Sequence, residues 1–232
     1  MRVLVIIPVY NEADSLPEVL RDLHETCPGY DLLVVNDAST DASGRLAEDS
    51  GLATVIHLPC NLGIGGCVQT GFRYAVARDY DVAVQFDGDG QHNTADIGQL
   101  VHMVASGETD VAIGSRFNIR DSAGFRSTNL RRMGIRIFQA TSYILTRQRI
   151  TDHTSGFRAY NRKTLAYLAE NYPVDYPEPE MIITLGRRGF RIQETFSQMF
   201  ERQGGASSIP LRKGPYYMLK VLLSMMMAAA KD

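Results

Sequence analysis

The chain has 232 residues, 44% of them hydrophobic, with a formal net charge of −2. That length fills one main domain with a sizeable core, and the near-neutral balance lacks the polybasic field that holds nucleic acid. Cys27, Cys60 and Cys67 are odd in number and spaced for neither a disulfide framework nor a zinc site, so a reduced, cytoplasmic compartment is expected.

A strand-like apolar run, Val3 to Val9, opens the chain without the order of charged, apolar and small residues that marks a secretory signal. Four further runs follow, at Asp31 to Val35, Ala53 to Leu58, Asp81 to Phe86 and Asp110 to Gly114. Between them lie amphipathic stretches, one with the stripe Leu16, Val19, Leu20 and Leu23, another with Val68, Phe72, Ala75 and Val76. Apolar runs alternating with helical periodicity predict an α/β domain, a mostly parallel sheet flanked by helices.

Beyond Ser115 the chain is arginine-rich, and Leu130, Met133, Ile137, Phe138, Thr141 and Leu145 predict a long amphipathic helix. A loop at Thr151 to Arg158, a strand at Phe157 to Asn161, a helix near Lys163 to Glu170 and a Pro-rich turn at Tyr172 to Pro179 come next. The tail, Pro215 to Lys231, is apolar and Met-rich, interrupted by Lys220. It is too short for a comfortable span and suits a helix lying in a membrane interface or one packed in a subunit interface or core.

Ligands of open α/β sheets bind outside the carboxyl ends of the strands, which singles out the loops there. After the fourth run, Asp87-Gly88-Asp89-Gly90-Gln91 sets two carboxylates and an amide where a hard divalent cation, Mg²⁺ or Mn²⁺, takes oxygen ligands. A plain Asp-Gly turn accounts for the same residues. Asp37, at the end of the second run, reads equally as a helix cap or as an acceptor for a base N–H or a ribose hydroxyl, whereas Ser39, Thr40 and Asp41 read as caps of the next helix. Asn61 to Gly66, including Gly65, leads into a helix and can bring backbone N–H groups to a phosphate. Arg116, Arg131, Arg132, Arg158 and Arg202 carry guanidinium groups suited to phosphate, although any one of them reads as well as an ordinary solvated surface arginine. His92 reads as a hydrogen-bonding neighbour of the acidic turn, and neither it nor His153 is assigned a proton-transfer role.

Pro8-Val9-Tyr10-Asn11-Glu12, Val35-Asn36-Asp37-Ala38-Ser39-Thr40-Asp41, Asp87-Gly88-Asp89-Gly90-Gln91-His92, Gly114-Ser115-Arg116-Phe117 and Thr154-Ser155-Gly156-Phe157-Arg158 occur in that order. Together they resemble the inverting glycosyltransferases of family 2, in the branch of dolichyl-phosphate mannosyltransferase and bacterial polyprenyl-phosphate sugar transferases, over about residues 2 to 210. The resemblance implies a GT-A, Rossmann-like fold, a nucleotide-sugar donor, a divalent metal and a polyprenyl-phosphate acceptor. On it, Pro8, Tyr10, Glu12 and Asp37 hold base and ribose; Asp87, Asp89 and Gln91 surround the metal and donor pyrophosphate. Arg116 and Arg132, or Arg131 one register away, face the phosphates; Arg202 and Ser207 close over the diphosphate; Asp152 and the loop from Thr154 border the acceptor.

The same resemblance divides the chain into a catalytic domain, 1–212, and an apolar terminal helix, 213–232. It favours a UDP-hexose or UDP-N-acetylhexosamine over GDP-mannose as donor. Many relatives in that branch carry membrane-spanning helices after the catalytic domain; the shorter apolar tail here departs from them and leads to the expectation of peripheral attachment at the inner face of the cell membrane, with a small membrane protein as partner as in some short relatives, while a homo-oligomer is the alternative use of the tail. A phosphate acceptor is already anionic and needs no strong base. Transfer to a saccharide hydroxyl would need one, with Asp152 as candidate, and a non-catalytic nucleotide-binding subunit of a membrane complex is a further alternative. Nucleotidyl transfer is disfavoured, because a glycine-rich basic loop should follow the first strand where Pro-Val-Tyr-Asn-Glu stands.

Overall fold

The computed structural model describes residues 1–117, 129–173, 176–200 and 214–230. Its strands are β1 (Val3–Val9), β2 (Asp31–Asn36), β3 (Thr54–His57), β4 (Val82–Gln85), β5 (Val111–Ser115), β6 (Arg158–Asn161) and β7 (Ile192–Phe196). Its α-helices are α1 (Leu16–Thr26), α2 (Ser43–Ser50), α3 (Gly63–Ala77), α4 (Ile97–Ala105), α5 (Asn129–Thr146), α6 (Arg162–Asn171), α7 (Pro177–Arg187) and α8 (Gly214–Ala230). The strands form one sheet ordered β3-β2-β1-β4-β6-β5-β7. Strand β6 runs antiparallel to β4 and β5, and the other described pairings are parallel.

Both faces of the sheet are covered, which is why its strands are apolar at nearly every position rather than at alternate ones. In β1, Val3, Val5, Ile7 and Val9 pack toward α1 and α4, while Leu4 and Ile6 pack toward α3, α6 and α7. Each fully buried aliphatic side chain contributes roughly 1.5–3 kcal/mol. Leu16, Val19, Leu20 and Leu23 of α1 are all buried, with Pro17 at the helix start, where its missing N–H costs nothing. In α3 the stripe is narrower than expected: Val68, Phe72 and Ala75 are buried, but Val76, about 100° further round the helix, faces solvent.

The Pro-rich segment expected to be a turn through Pro179 instead starts α7 at Pro177. Prolines are tolerated in a first helical turn, and Glu178 and Glu180 there complement the positive end of the helix dipole. Helix α5 matches the predicted long helix, yet of its expected apolar stripe Ile137 points outward while Phe138 is buried. Phe138 joins Ile183 of α7 and Val221, Met225 and Ala228 of α8 in a satellite core.

The topology fixes where loops meet. Because β1 to β5 and β7 are co-directional and β6 is reversed, the segments leaving β1, β2, β3, β4, β5 and β7 and the segment entering β6 share one sheet edge. The chain steps from β1 outward to β2 and β3, then returns to the other side of β1 at β4. That reversal opens a crevice beyond the ends of β1 and β4.

Candidate active site

The turn leaving β4 carries Asp87 and Asp89 into this crevice. It is pinned from α1, where the buried Ser15 donates through Oγ to the Gly88 carbonyl at 2.8 Å. Within the turn the Gln91 N–H donates to Asp89 Oδ1 at 3.1 Å. His92 Nε2 lies 3.2 Å from Asp87 Oδ2, its ring held against Phe86 and Phe157 with centroids 5.6 and 5.1 Å away. On the remaining side Gly156 lies so close that a Cβ there would fall 2.6 Å from Asp87 Oδ2. The Gln91 amide, expected beside the two carboxylates, instead donates to the Phe200 carbonyl at 3.4 Å, while the Phe200 N–H donates to Gln91 O at 2.8 Å.

Among the described residues no three or more His, Cys, Asp or Glu side chains gather into a cage. A turn with two carboxylates still fits Mg²⁺ or Mn²⁺, because such ions are often held by one or two carboxylates with substrate phosphates completing the shell. The bare backbone of Gly156 beside Asp87 is a cradle that a side chain would fill.

Across the crevice, the loops after β1 and β2 are laced together. Asn11 Oδ1 accepts from the Thr40 N–H at 2.8 Å, and Ser39 Oγ accepts from the Asn11 N–H at 3.0 Å. Glu12 and Ala13 donate their N–H groups to Ser43 Oγ and Asp41 Oδ2. The cluster expected to cap α2 therefore also ties two loops together, although Asp41 Oδ1 does accept from the Ser43 N–H at the helix start. Asn11 and Ala38 sit at φ 56° and 55°, a left-handed geometry that Asn tolerates and that costs Ala about 1 kcal/mol. Tyr10 is left about half exposed at the rim, and Pro8 is buried within β1. Asp37 is buried, and its Oδ1 accepts from the Leu62 N–H at 2.7 Å. It thus fastens the glycine-rich segment, in which Gly65 lies buried in the first turn of α3.

The third wall comes from β5 and the loop entering β6. Arg116 donates through Nε to Asp152 Oδ2 at 2.7 Å and through Nη2 to Asp152 Oδ1 at 2.6 Å. Its Nη2 also reaches Thr154 Oγ1. Burial pushes the Asp152 carboxyl upward, but hydrogen bonds from Arg116 and its charge outweigh this and hold it below the ordinary carboxylate range. Burial likewise opposes the Arg116 cation, and Asp152, with Asp87 further off, keeps it charged. Beneath them Glu194 of β7 accepts from the Thr151 N–H at 2.8 Å, Thr151 Oγ1 at 2.7 Å and the Asp152 N–H at 2.7 Å.

Arg158, expected among the phosphate-facing arginines, is instead completely buried. Its guanidinium donates to the carbonyls of Ser155, Glu178 and His153 at 2.7, 3.0 and 3.1 Å, so it braces the loop from behind. His153 is buried too, and burial, with the nearby Arg158 charge, pushes its imidazole down to about 4. Arg131 and Arg132 belong to the start of α5, but their side chains lie outside the described residues, as do Arg202 and Ser207 altogether.

The structure therefore gathers Tyr10, Glu12, Asp37, Asp87, Asp89, Arg116 and Asp152 onto one sheet edge. Sequence reading missed three supports. Ser15, just before α1, and Glu194, among the polar residues of β7, have partners 73 and 42–43 residues away. Gly156 lies within the motif Thr154 to Arg158, but its closeness to Asp87 has no sequence signal.

The Glycosyl transferase family 2 model matches residues 4–168. An undecaprenyl-phosphate mannosyltransferase of Micrococcus luteus is 35% identical over 220 residues, covering 90% of this chain and 88% of that protein. A polyprenol monophosphomannose synthase of Mycolicibacterium smegmatis is 36% identical over 170 residues, covering 71% of this chain and 63% of its own length. Glucosyl-3-phosphoglycerate synthase of Mycobacterium tuberculosis, solved with Mn²⁺, uridine diphosphate and phosphoglyceric acid, superposes with a TM-score of 0.73 at 18% identity, covering 98% of this chain and 78% of that one. The sheet and its helical covering are those of a GT-A glycosyltransferase, and the chain belongs to glycosyl transferase family 2.

Proposed function

We propose that the chain is an inverting, metal-dependent transferase that moves a hexose from a nucleotide-sugar donor to a polyprenyl phosphate at the inner face of the cell membrane. The observation that carries this reading is the Arg116–Asp152 pair. A carboxylate that accepts two guanidinium hydrogen bonds and is held below its ordinary range is a poor proton acceptor. That weighs against a hydroxyl acceptor activated by Asp152 and suits a nucleophile that arrives already ionised. The names of the two relatives above, both acting on mannose and a polyprenyl carrier, support the same acceptor class and move a mannosyl donor ahead of the UDP-hexoses.

In this reading Tyr10, Glu12 and Asp37 receive the nucleoside on the β1–β2 side of the crevice, and the start of α3 around Gly65 lies near its phosphates. Asp87 and Asp89 would hold the divalent ion, and the Gln91 amide would join them only by leaving the Phe200 carbonyl. When bound, that ion neutralises charge on the departing diphosphate. Arg116, oriented by Asp152, faces the acceptor phosphate and keeps it in line with the anomeric carbon, which lowers the barrier by positioning. Arg131 or Arg132 adds a second cation, and Arg202 and Ser207 complete the diphosphate side.

A donor panel tests this. GDP-mannose, UDP-glucose, UDP-N-acetylglucosamine and UDP-galactose are each incubated with Mg²⁺ or Mn²⁺ and undecaprenyl phosphate, and the lipid is read by mass spectrometry. A sugar-phosphate-lipid product that is lost with chelator and in Asp89→Ala is expected. Consumption of donor only with a saccharide acceptor would overturn the lipid assignment.

A further inference from the structure

Strand β2 ends at Asn36 and β3 at His57, and the parallel register sets the two side by side. Asn36 is buried and opens the loop that carries Asp37, whereas His57 lies on the edge strand with its side chain 44% exposed. That loop does not hold its shape unaided. Ala38, at φ 55°, keeps a left-handed conformation only where its surroundings over-determine it. Asn36 Oδ1 supplies one restraint by accepting from the Ser39 N–H at 3.1 Å, and Ser39 Oγ extends it by accepting from the Asn11 N–H at 3.0 Å.

The two ends of an amide have the same shape, so hydrogen bonding decides which of them faces Ser39. With the carbonyl there, the Asn36 amino group faces His57, and its Nδ2 lies 3.0 Å from His57 Nδ1. Nδ1 is then a bare acceptor, which puts the imidazole proton on Nε2. Nε2 lies 3.0 Å from Glu48 Oε1 of α2, and a carboxylate only accepts, so the third step runs in the same direction as the first two. Turning the Asn36 amide over would set its amino group against the Ser39 N–H. Gly44, in the first turn of α2, leaves the room these groups need: a Cβ there would lie 2.6 Å from Asn36 Nδ2 and 2.9 Å from His57 Cε1.

We propose that Glu48, His57 and Asn36 form a hydrogen-bond relay that locks the loop after β2 in the shape that receives the nucleoside, which makes His57 and Asn36 positioning residues for donor binding. This rests on the nucleoside placement above and adds to it what holds the receiving loop. The relay acts through direction rather than charge, because an exposed His–Glu pair contributes little electrostatically. Asp37 follows Asn36 directly, so a turn of the amide displaces the carboxylate that faces the nucleoside.

Nitrogen-15 NMR of the full chain in mildly alkaline buffer locates the ring proton of His57. A protonated Nε2 and a bare Nδ1 are expected, with the Nδ1 resonance moving in Asn36→Ala; a proton on Nδ1 overturns the relay. In parallel, GDP and UDP are each titrated calorimetrically with Mg²⁺ present, and donor kinetics follow with the sugar nucleotide that the panel selects. His57→Phe keeps a ring and removes both nitrogens, while Gly44→Ala keeps every polar atom and displaces the amide. Each should weaken nucleotide binding and raise the donor KM about tenfold, the scale of one lost hydrogen bond, with kcat within about twofold of the wild type. Glu48→Ala should act in the same direction by about threefold, and Glu48→Gln, which still accepts from the Nε2 N–H, should restore the wild-type values. Glu48 is 57% exposed, so its replacement leaves the core intact and keeps the comparison decisive if a buried variant does not fold. Nucleotide binding and KM that stay unchanged in His57→Phe, Gly44→Ala and Glu48→Ala, or a fall in kcat without a rise in KM, overturn the relay and leave the transfer reading standing. Relay-dependent binding of GDP or UDP by a protein that transfers no sugar to the lipid supports the relay and overturns the transfer reading. Wild-type protein that binds neither nucleotide overturns both.

Discussion

Asp152 accepts from both Nε and Nη2 of Arg116, at 2.7 and 2.6 Å, so the arginine that follows β5 is aimed by a carboxylate 36 residues later in the chain. A fork held in this way presents its remaining N–H groups in a fixed direction. Arg116→Ala is expected to lower kcat about 10²- to 10³-fold, the scale of removing one preorganised donor. Arg116→Lys should recover only part of this, because an ammonium cannot make the paired contact.

The role of Asp152 separates by its pH signature. If it orients Arg116, Asp152→Asn lowers kcat about 10- to 100-fold and leaves the acid limb of the pH–rate profile where it was. Loss of that limb in Asp152→Asn would identify Asp152 as a proton acceptor instead, and would revive a hydroxyl acceptor.

Gly156→Ala tests the seat of Asp87. The added methyl would lie 2.6 Å from Oδ2 and 2.8 Å from Oδ1 of Asp87, so the carboxylate must move. Gly156 does not have a left-handed φ, so alanine fits its backbone conformation. The expected outcome is a rise of about tenfold or more in the Mg²⁺ or Mn²⁺ concentration for half-maximal activity, since an ångström of misplacement is enough to spoil a site. Unchanged metal dependence would show that Asp87 does not serve the ion.

Glu194→Gln tests the support beneath the arginine pair. Glu194 accepts three hydrogen bonds from Thr151 and Asp152, and an amide can offer only one oxygen while turning N–H groups toward N–H groups. Loss of buried hydrogen bonds should cost about 1–3 kcal/mol in denaturant unfolding. A positioning role adds a second readout: kcat should fall further than the donor KM rises, and Glu194→Asp should rescue kcat in part. Unchanged kcat in a destabilised Glu194→Gln would reduce Glu194 to a structural brace.

The strands were legible because a sheet covered on both faces writes apolar runs into the chain, as at Val3–Val9 and Val82–Gln85. Strand β7 was missed because Gln193, Glu194 and Thr195 dilute its pattern, and α7 was missed because prolines at Pro177 and Pro179 read as a turn until their place in the first helical turn is known. Of the crevice residues, those in ordered motifs were found. Arg158 was misread as a phosphate group's partner, since its carbonyl partners leave no mark on the side-chain sequence. The supports Ser15 and Glu194 act through single long-range hydrogen bonds, which one sequence does not display.

His153 gives the fold a pH dependence with a definite sign. Its imidazole is held down to about 4 in the folded chain against an ordinary value near 6.5, because burial and the Arg158 charge disfavour the cation. The unfolded chain takes up the proton below about pH 6.5 and the folded chain does not, so stability is complete above that value and declines as pH falls toward 4. The slope approaches 1.4 kcal/mol per pH unit, giving a loss of about 3 kcal/mol across the window. Glu178 and Glu194, raised by burial, act in the opposite sense there, so the comparison with a variant isolates the histidine. Denaturant unfolding at pH 7 and pH 4.5 should show a larger drop for the wild type than for His153→Gln. Equal drops in the two proteins would mean that His153 takes up its proton in the folded state as readily as in the unfolded chain.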